Sequence, residues 1–292
     1  MRSAMIEKRI CIVGLGLMGG SLAKALHGQV KHLTGVDRHA ATRQMVLAGG
    51  IVDIVTADLA SGVRAADLII LATPVHSILQ QIEQLPDLCP EGSLVLDLGS
   101  TKEAVCKGMA ALPTSFSAIG GHPMCGKETA GYHAADAGLF RGQIFVLSRN
   151  SRTTKQIEEI ALSLIELIGA HPMFLSPEVH DQIVAVTSHL PYLISAALVQ
   201  RAADMADDRV WPVSASGFRD SSRLAGSDPR MMLDILLTNR IAILSQLAQY
   251  QADLEQIGSL LAEGDESALA AWLAESQSRY IAYRKQKQLP GF

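Results

Sequence analysis

Gly14-Leu15-Gly16-Leu17-Met18-Gly19 sets three glycines at the spacing of a backbone that turns tightly, approaches a pyrophosphate and packs a helix onto a strand. The residues after it carry helical spacing, so a phosphate would meet free N–H groups at a helix N-terminus. Asp37 ends a strand-like run 18 residues beyond Gly19, where a carboxylate accepts hydrogen bonds from a ribose. That carboxylate repels a 2′-phosphate, which favours NAD, whereas Arg38 beside it could grip the phosphate and leaves NADP possible. A nicotinamide takes up hydride, and drawing hydride from an alcohol carbon requires a group for the hydroxyl proton. Histidine, with an ordinary pKa near ~6.5, is the usual one.

Nine histidines are present. His27, His32, His39, His133 and His180 sit among polar residues and read as solvated surface imidazoles, and His171 reads as a loop marker. Thr73-Pro74-Val75-His76 follows a third strand-like run, near the expected nicotinamide edge. Thr73 and Pro74 therefore join Gly14, Gly16, Leu17, Met18, Gly19, Asp37 and Arg38 as cofactor residues, while His76 is a weaker candidate of open role. Two imidazoles stand out by setting. His122 lies in Gly120-Gly-His-Pro-Met-Cys-Gly126, read as a confined loop with close backbone approach. His189 lies in Ser188-His-Leu-Pro191, inside a segment free of charged residues, where an unpaired polar group would cost a few kcal/mol. As alternatives, His122 reads as a turn residue and His189 as a satisfied core histidine.

These groups need a scaffold, and the first half of the chain alternates short apolar runs with helical patterns. Runs at 9–13, 33–37, 66–72, 93–98 and 143–148, with a last one at 172–175, predict a parallel sheet covered on both faces. After about residue 176 long helical patterns take over. Apolar residues from Met231 to Leu261 recur mostly at three- and four-residue steps, between Pro229 and Gly264. They predict one helix of about 30 residues, roughly 45 Å long at 1.5 Å per residue. Such a helix outruns a domain of this size, so it needs a partner and predicts a homodimer through the second half. The fold expected is an α/β Rossmann-type, doubly wound parallel sheet over residues 1–175, followed by an all-α helical substrate and dimerisation domain over 176–292.

Composition removes other classes. With 25 Lys and Arg against 29 Asp and Glu, the net charge of -4 gives no footprint for nucleic acid. Cys11, Cys89, Cys106 and Cys125 show no metal-ligand spacing and fit a reducing, cytoplasmic setting; no metal is expected. The start of the chain does not read as a signal peptide, and its end leaves no room for an appended regulatory domain. The uncharged stretch from Gln182 to Gln200 approaches the ~18 residues of a membrane span, but its Ser, Thr, His and Pro predict a buried helix and no membrane.

Four motifs in order, Asp97-Leu-Gly-Ser100-Thr-Lys102, GGHPMCG, SHLPY and Gly217-Phe-Arg-Asp-Ser-Ser-Arg223 with Ser227-Asp-Pro229, resemble the prephenate/arogenate (cyclohexadienyl) dehydrogenase family over most of the chain. The resemblance implies oxidative decarboxylation of prephenate or arogenate on the route to tyrosine. It implies His122 as the catalytic histidine on the substrate's 4-hydroxyl, with Ser100 orienting hydroxyl and imidazole. It places His189 and Arg223 in the substrate site, Arg223 as carboxylate anchor, and Glu128 near its entrance. One departure is Met232, where the family often has tryptophan, which removes an aromatic contribution from that position. The expected substrate is a small dicarboxylate, for which an arginine fork is a suitable anchor. Asp220, three residues from Arg223, offers that arginine an intrahelical partner instead. The roles of Arg219 and Lys102 stay open. A β-hydroxyacid dehydrogenase shares the glycine run, but its G-x-x-G-x-G-x-x-x-K lysine helix is not found. A non-catalytic dinucleotide sensor would have no use for the converging histidine, serine and arginine.

Overall fold

The computed structural model describes residues 7–127 and 129–287. Strands and helices alternate through β1 (Arg9–Val13), α1 (Leu17–Leu26), β2 (His32–Val36), α2 (Ala40–Ala48), β3 (Ile54–Thr56), α3 (Leu59–Val63), β4 (Leu68–Leu71) and α4 (Val75–Leu88). β5 (Leu94–Asp97), α5 (Glu103–Ala110), β6 (Ser117–Pro123), β7 (Ile144–Ser148), α6 (Lys155–Leu167) and β8 (His171–Phe174) follow. A helical run then comprises α7 (Pro177–Val184), a π-helical turn (Ala185–His189) and α8 (Leu190–Ala203). Beyond it lie α9 (Val210–Val213), α10 (Ser216–Ser222), α11 (Pro229–Thr238), α12 (Arg240–Glu263) and α13 (Glu266–Gln286). The described chain divides into two compact units, one ending at Ile243 and one starting at Leu244.

The alternation of side chains along β1 shows why the first unit has two cores. Ile10 and Ile12 enter one with Leu22 and Leu26 of α1 and Ile157 and Leu164 of α6. Cys11 and Val13 enter the other with Ile78 and Ile82 of α4 and Val105 and Met109 of α5. A strand stretch buried on both faces must be apolar, as residues 10–13 of β1 and the whole of β4 are. The sheet has eight strands in the order β3-β2-β1-β4-β5-β6-β7-β8. Its order reverses between β1 and β4, and the crevice beyond their carboxyl ends is where such sheets bind ligands.

Several expectations change here. The sheet is parallel only as far as β6; β7 runs antiparallel to β6, and β8 parallel to β7. Gly120 to Pro123 are the end of β6 and not a loop, with His122 paired to Val146. The glycines are needed for packing: a Cβ on Gly121 would stand 2.5 Å from the carbonyl oxygen of Asp97. His171 opens β8 and does not mark a loop. The single 30-residue helix is two, α11 and α12, broken at Asn239 (φ -113, ψ 26). The apolar stripe runs through the break because both helices carry it; at the break the buried side-chain amide of Asn239 donates to Asp181 O.

The uncharged segment is helical but not a buried helix, since Ile183 and Val186 are exposed. Among the described residues Pro177–Ala203 is the one continuous helical stretch long and apolar enough to cross a membrane. It nevertheless carries His180, Asp181, His189 and Ser195 as buried polar groups. Ser176 Oγ accepts the Val179 N–H at its start. Pro191 has no N–H to donate to the preceding turn and crowds it, which accounts for the π-helical turn just before it. In the second unit Gly264 (φ 66) turns the chain, and Asp265 Oδ1 accepts the Ala268 N–H to start α13.

Candidate active site

The glycine loop joins β1 to α1. Gly14 has φ 92, a left-handed conformation, and a Cβ there would stand 2.8 Å from the Ala72 carbonyl oxygen. A Cβ on Gly19 would stand 1.8 Å from the Gly14 carbonyl oxygen, so helix and loop touch backbone to backbone. Around Gly16, the N-cap of α1, nothing lies within 4 Å of that position. This is the cradle a pyrophosphate needs, open at the middle glycine and closed at the others. The loop is tied to β2: Gly14 N–H donates to Val36 O (2.7 Å) and Leu15 N–H to Asp37 Oδ2 (2.9 Å). Asp37 Oδ1 accepts the His39 N–H at 2.8 Å. The Arg43 guanidinium donates to the carbonyls of Asp37 and Arg38, while the Arg38 side chain is exposed. Asp37 and Arg38 stand at the end of β2, off the cleft wall.

The cleft itself has a volume of about 540 Å³ and lies within the first unit. Gly16, Leu17 and Met18 form one part of its wall, with Thr73 and Pro74 after β4 beside them. Ser100, His122 and His189 form another part, from the β5–α5 loop, β6 and the π-helical turn. Arg223 lines an adjoining recess of about 870 Å³ with Lys127, and Leu224 and Ser227 border both spaces. Glu128 lies outside the described residues.

Hydrogen bonds fix which nitrogen each cleft imidazole presents. The Asp181 carboxylate accepts the Lys102 and Glu103 N–H groups at the start of α5, at 2.7 and 2.9 Å. His180 Nδ1 donates to Asp181 Oδ1 at 2.7 Å, so in a neutral His180 Nε2 carries the lone pair. His122 Nδ1 lies 2.8 Å from that Nε2 and is then the donor, which leaves His122 Nε2 as an acceptor for the cleft. His189 is set the other way. Its Nδ1 accepts from Asn239 Nδ2 at 3.1 Å, and the same amide donates to Asp181 O at 2.7 Å. His189 Nε2 therefore bears the proton. One wall offers an acceptor and the other a donor.

Both rings are held neutral. Burial, then the unfavourable electrostatics of an imidazolium beside His180, Lys102 and His189, push His122 well below the ordinary imidazole range. Burial pushes His189 down to about 4 against the pull of Asp181. Lys102, whose role the sequence leaves open, is fully buried in an ion pair with Asp97. Asp97 also accepts the Gly99 and Gly121 N–H groups, at 2.7 and 2.9 Å, so the pair anchors β6 beneath His122. Removing one member of such a pair costs about 3–5 kcal/mol. His76 Nδ1 meets Asp234 Oδ1 at 2.5 Å, and Asp234 borders the cleft. Arg219 pairs with Asp220 at 3.2 Å. Among the described residues no group of three or more His, Cys, Asp or Glu could hold a metal ion. Burial raises the Cys125 thiol to about 11, which suits a filler and not a nucleophile.

His180 is the main correction. It is 1% exposed, not a solvated imidazole. Its neighbours in sequence are polar, but they include Asp181, itself buried and able to satisfy it. The one signal available was a His–Asp dipeptide just before an uncharged apolar run, where buried polar groups require partners. Asn239, inside the apolar stripe, was missed likewise. Ser100, His122 and His189 line one cleft with Gly16, Leu17, Met18, Thr73 and Pro74.

Comparison with known proteins follows the same lines. The family model described as prephenate dehydrogenase, nucleotide-binding domain, matches residues 22–174, and that described as prephenate dehydrogenase, dimerization domain, matches residues 176–275. The chain is 32% identical to a prephenate dehydrogenase of Bacillus subtilis over 98% of its own length and 80% of that protein's. A crystal structure of prephenate dehydrogenase from Aquifex aeolicus, in complex with hydroxyphenyl propionate and NAD+, matches with a TM-score of 0.88 at 28% identity. The match covers 94% of this chain and 98% of that one. Synechocystis arogenate dehydrogenase matches with a TM-score of 0.81 at 32% identity, over 94% of this chain and 99% of that one.

Proposed function

The chain belongs to the prephenate dehydrogenase family, and from that membership we propose that its cleft carries out the NAD-dependent oxidative decarboxylation of prephenate, arogenate or both in tyrosine biosynthesis. The observation that carries this is the meeting of His122 and Ser100 with the glycine loop on one cleft. Bound NAD+ supplies the acceptor for the hydride. The open space at Gly16 and the free N-terminus of α1 fit its pyrophosphate, and Asp37 suits a ribose.

The chemistry left to this chain is modest. His122 Nε2 takes the proton of the 4-hydroxyl as C4 loses hydride, and C4 becomes a carbonyl carbon. The bond from the ring to its carboxylate then breaks, its electron pair enters the ring, and CO₂ leaves. The ring becomes aromatic, and the C4 oxygen regains a proton that the His122 imidazolium can return. Ser100 orients the hydroxyl, His189 donates a hydrogen bond from Nε2, and Arg223 holds a carboxylate with Glu128 near the entrance. Positioning of this kind supplies several kcal/mol of the barrier.

We assign residues 1–175 to cofactor binding and 176–292 to substrate binding and dimerisation, the partner being a second copy joined through the C-terminal helices. The exposed apolar residues of α11 to α13 support that assignment, among them Leu233, Leu254 and Leu273. The substrate is a small dicarboxylate, and neither membrane nor nucleic acid is a partner. Four free cysteines, three of them buried, support a cytoplasmic setting. The test is to mix protein and NAD+ with prephenate or arogenate in parallel and follow absorbance at 340 nm. A rise with at least one substrate, faster with NAD+ than NADP+, is expected; no rise with either overturns the proposal.

A further inference from the structure

Behind His122 lies a chain of contacts that the reaction as described does not use. Asp181 is buried, and two backbone N–H groups at the start of α5 hold its carboxylate. An anion there is favoured by the helix dipole as well as by the hydrogen bonds. His180, also buried, is oriented by Asp181 through Nδ1 and turns Nε2 toward His122 Nδ1. The two rings meet edge to face, with centroids 5.1 Å apart at 68°. A position this buried is most often filled by an apolar side chain. A surface-type His–Asp pair has instead been carried into the core, where each polar group must be satisfied.

We propose that His180 and Asp181 are positioning residues for the reaction, fixing His122 as the Nδ1–H tautomer so that Nε2 is the proton acceptor. This rests on the function proposed above and deepens it. When Nε2 takes the hydroxyl proton, the new imidazolium keeps its Nδ1–H bond to His180, and the Asp181 carboxylate faces the positive charge through one ring. No proton need leave His122 toward His180. Without the pair the ring is free to flip, or to protonate Nε2 and present a donor where an acceptor is required. General-base contributions are typically 10²–10⁴-fold, so the loss should fall near the lower end, about 10²-fold in kcat.

The closing experiment reads the tautomer directly. Wild-type enzyme labelled with imidazole-¹⁵N histidine is examined by NMR at neutral pH, with His122 assigned by its absence in His122→Asn. We expect Nδ1 protonated and Nε2 bare at His122, and the reverse at His189, which Asn239 sets independently. In His180→Leu the His122 signals should move to mixed tautomers while those of His189 stay. The same variant should lose about 10²-fold in kcat with KM and NAD+ affinity within about threefold. His180→Gln, whose amide oxygen can accept from Nδ1–H, should recover at least part of that loss. A wild-type His122 protonated at Nε2 overturns the proposal, even if no variant folds. So does a His180→Leu enzyme with wild-type kcat. A wild-type enzyme with the expected tautomers and no turnover of prephenate or arogenate would leave the pair standing and remove the functional reading.

Discussion

In its proposed role His122 must be neutral before it can take a proton, and the sign of its surroundings ensures this. Burial disfavours the imidazolium, and the Lys102, His180 and His189 side chains add to that effect. Asp181 and Asp97 lie behind the facing groups and are each occupied, by His180 and Lys102. The folded-state pKa is therefore depressed, the base is ready at neutral pH, and activity is lost only as pH falls through that low value. We predict that kcat/KM, which reports the free enzyme, stays flat from pH 8 down past the ordinary histidine value of about 6.5. An acid limb centred at or above that value in the pH–rate profile would contradict this account. At this scale His122 stands out in the sequence because glycines and a proline confine it, whereas Ser100 enters only through the family resemblance. His180 was not, since a histidine beside an aspartate looks the same in solvent and in a core, and only the tertiary contact decides.

Elements set how accurately those residues stand. β6 reaches the cleft because Gly120 and Gly121 let it pass close to its neighbours, and the π-helical turn ahead of Pro191 carries His189 to the opposite wall. Strands were readable wherever burial on both faces forces an apolar run, as at residues 10–13 of β1, throughout β4 and at residues 94–96 of β5. β6 was read as a loop because its glycines and proline are turn residues by composition, although here they serve close packing. The break at Asn239 was invisible because the hydrophobic period continues across it. The glycine loop allows a paired prediction. Gly19→Ala meets backbone at 1.8 Å and cannot be relieved by a rotamer, so it should cost about 1–3 kcal/mol and several degrees of Tm. Gly16→Ala has open space and should keep the wild-type Tm while weakening NAD+ binding severalfold. Thermal melts with and without NAD+ distinguish the two, and equal Tm losses in both would contradict the assigned roles.

For the molecule as a whole, residues from six separate stretches of sequence converge on one cleft. The scaffold they share, a doubly wound sheet followed by helices, was readable from composition and period alone. What the sequence could not convey was which apolar surface the chain covers by itself. Ile183, Val186, Leu233 and Leu237 remain exposed in the first unit, and Leu254, Leu261 and Leu273 in the second. That is more apolar surface than an isolated chain usually leaves in water, and the match to a dimerization domain supports a second copy as what covers it. The net charge of -4 and the buried cysteines bear on setting, not on chemistry.

The central claim is that the nitrogen His122 turns to the cleft takes the substrate's proton, and His122→Asn tests it most directly. Calorimetric affinities for NAD+ and for a non-reacting substrate analogue, measured beside kcat, separate binding from turnover. We predict affinities within about twofold of wild type and a kcat lower by roughly 10²–10⁴-fold. A variant that binds both ligands and turns over at the wild-type rate would contradict the account.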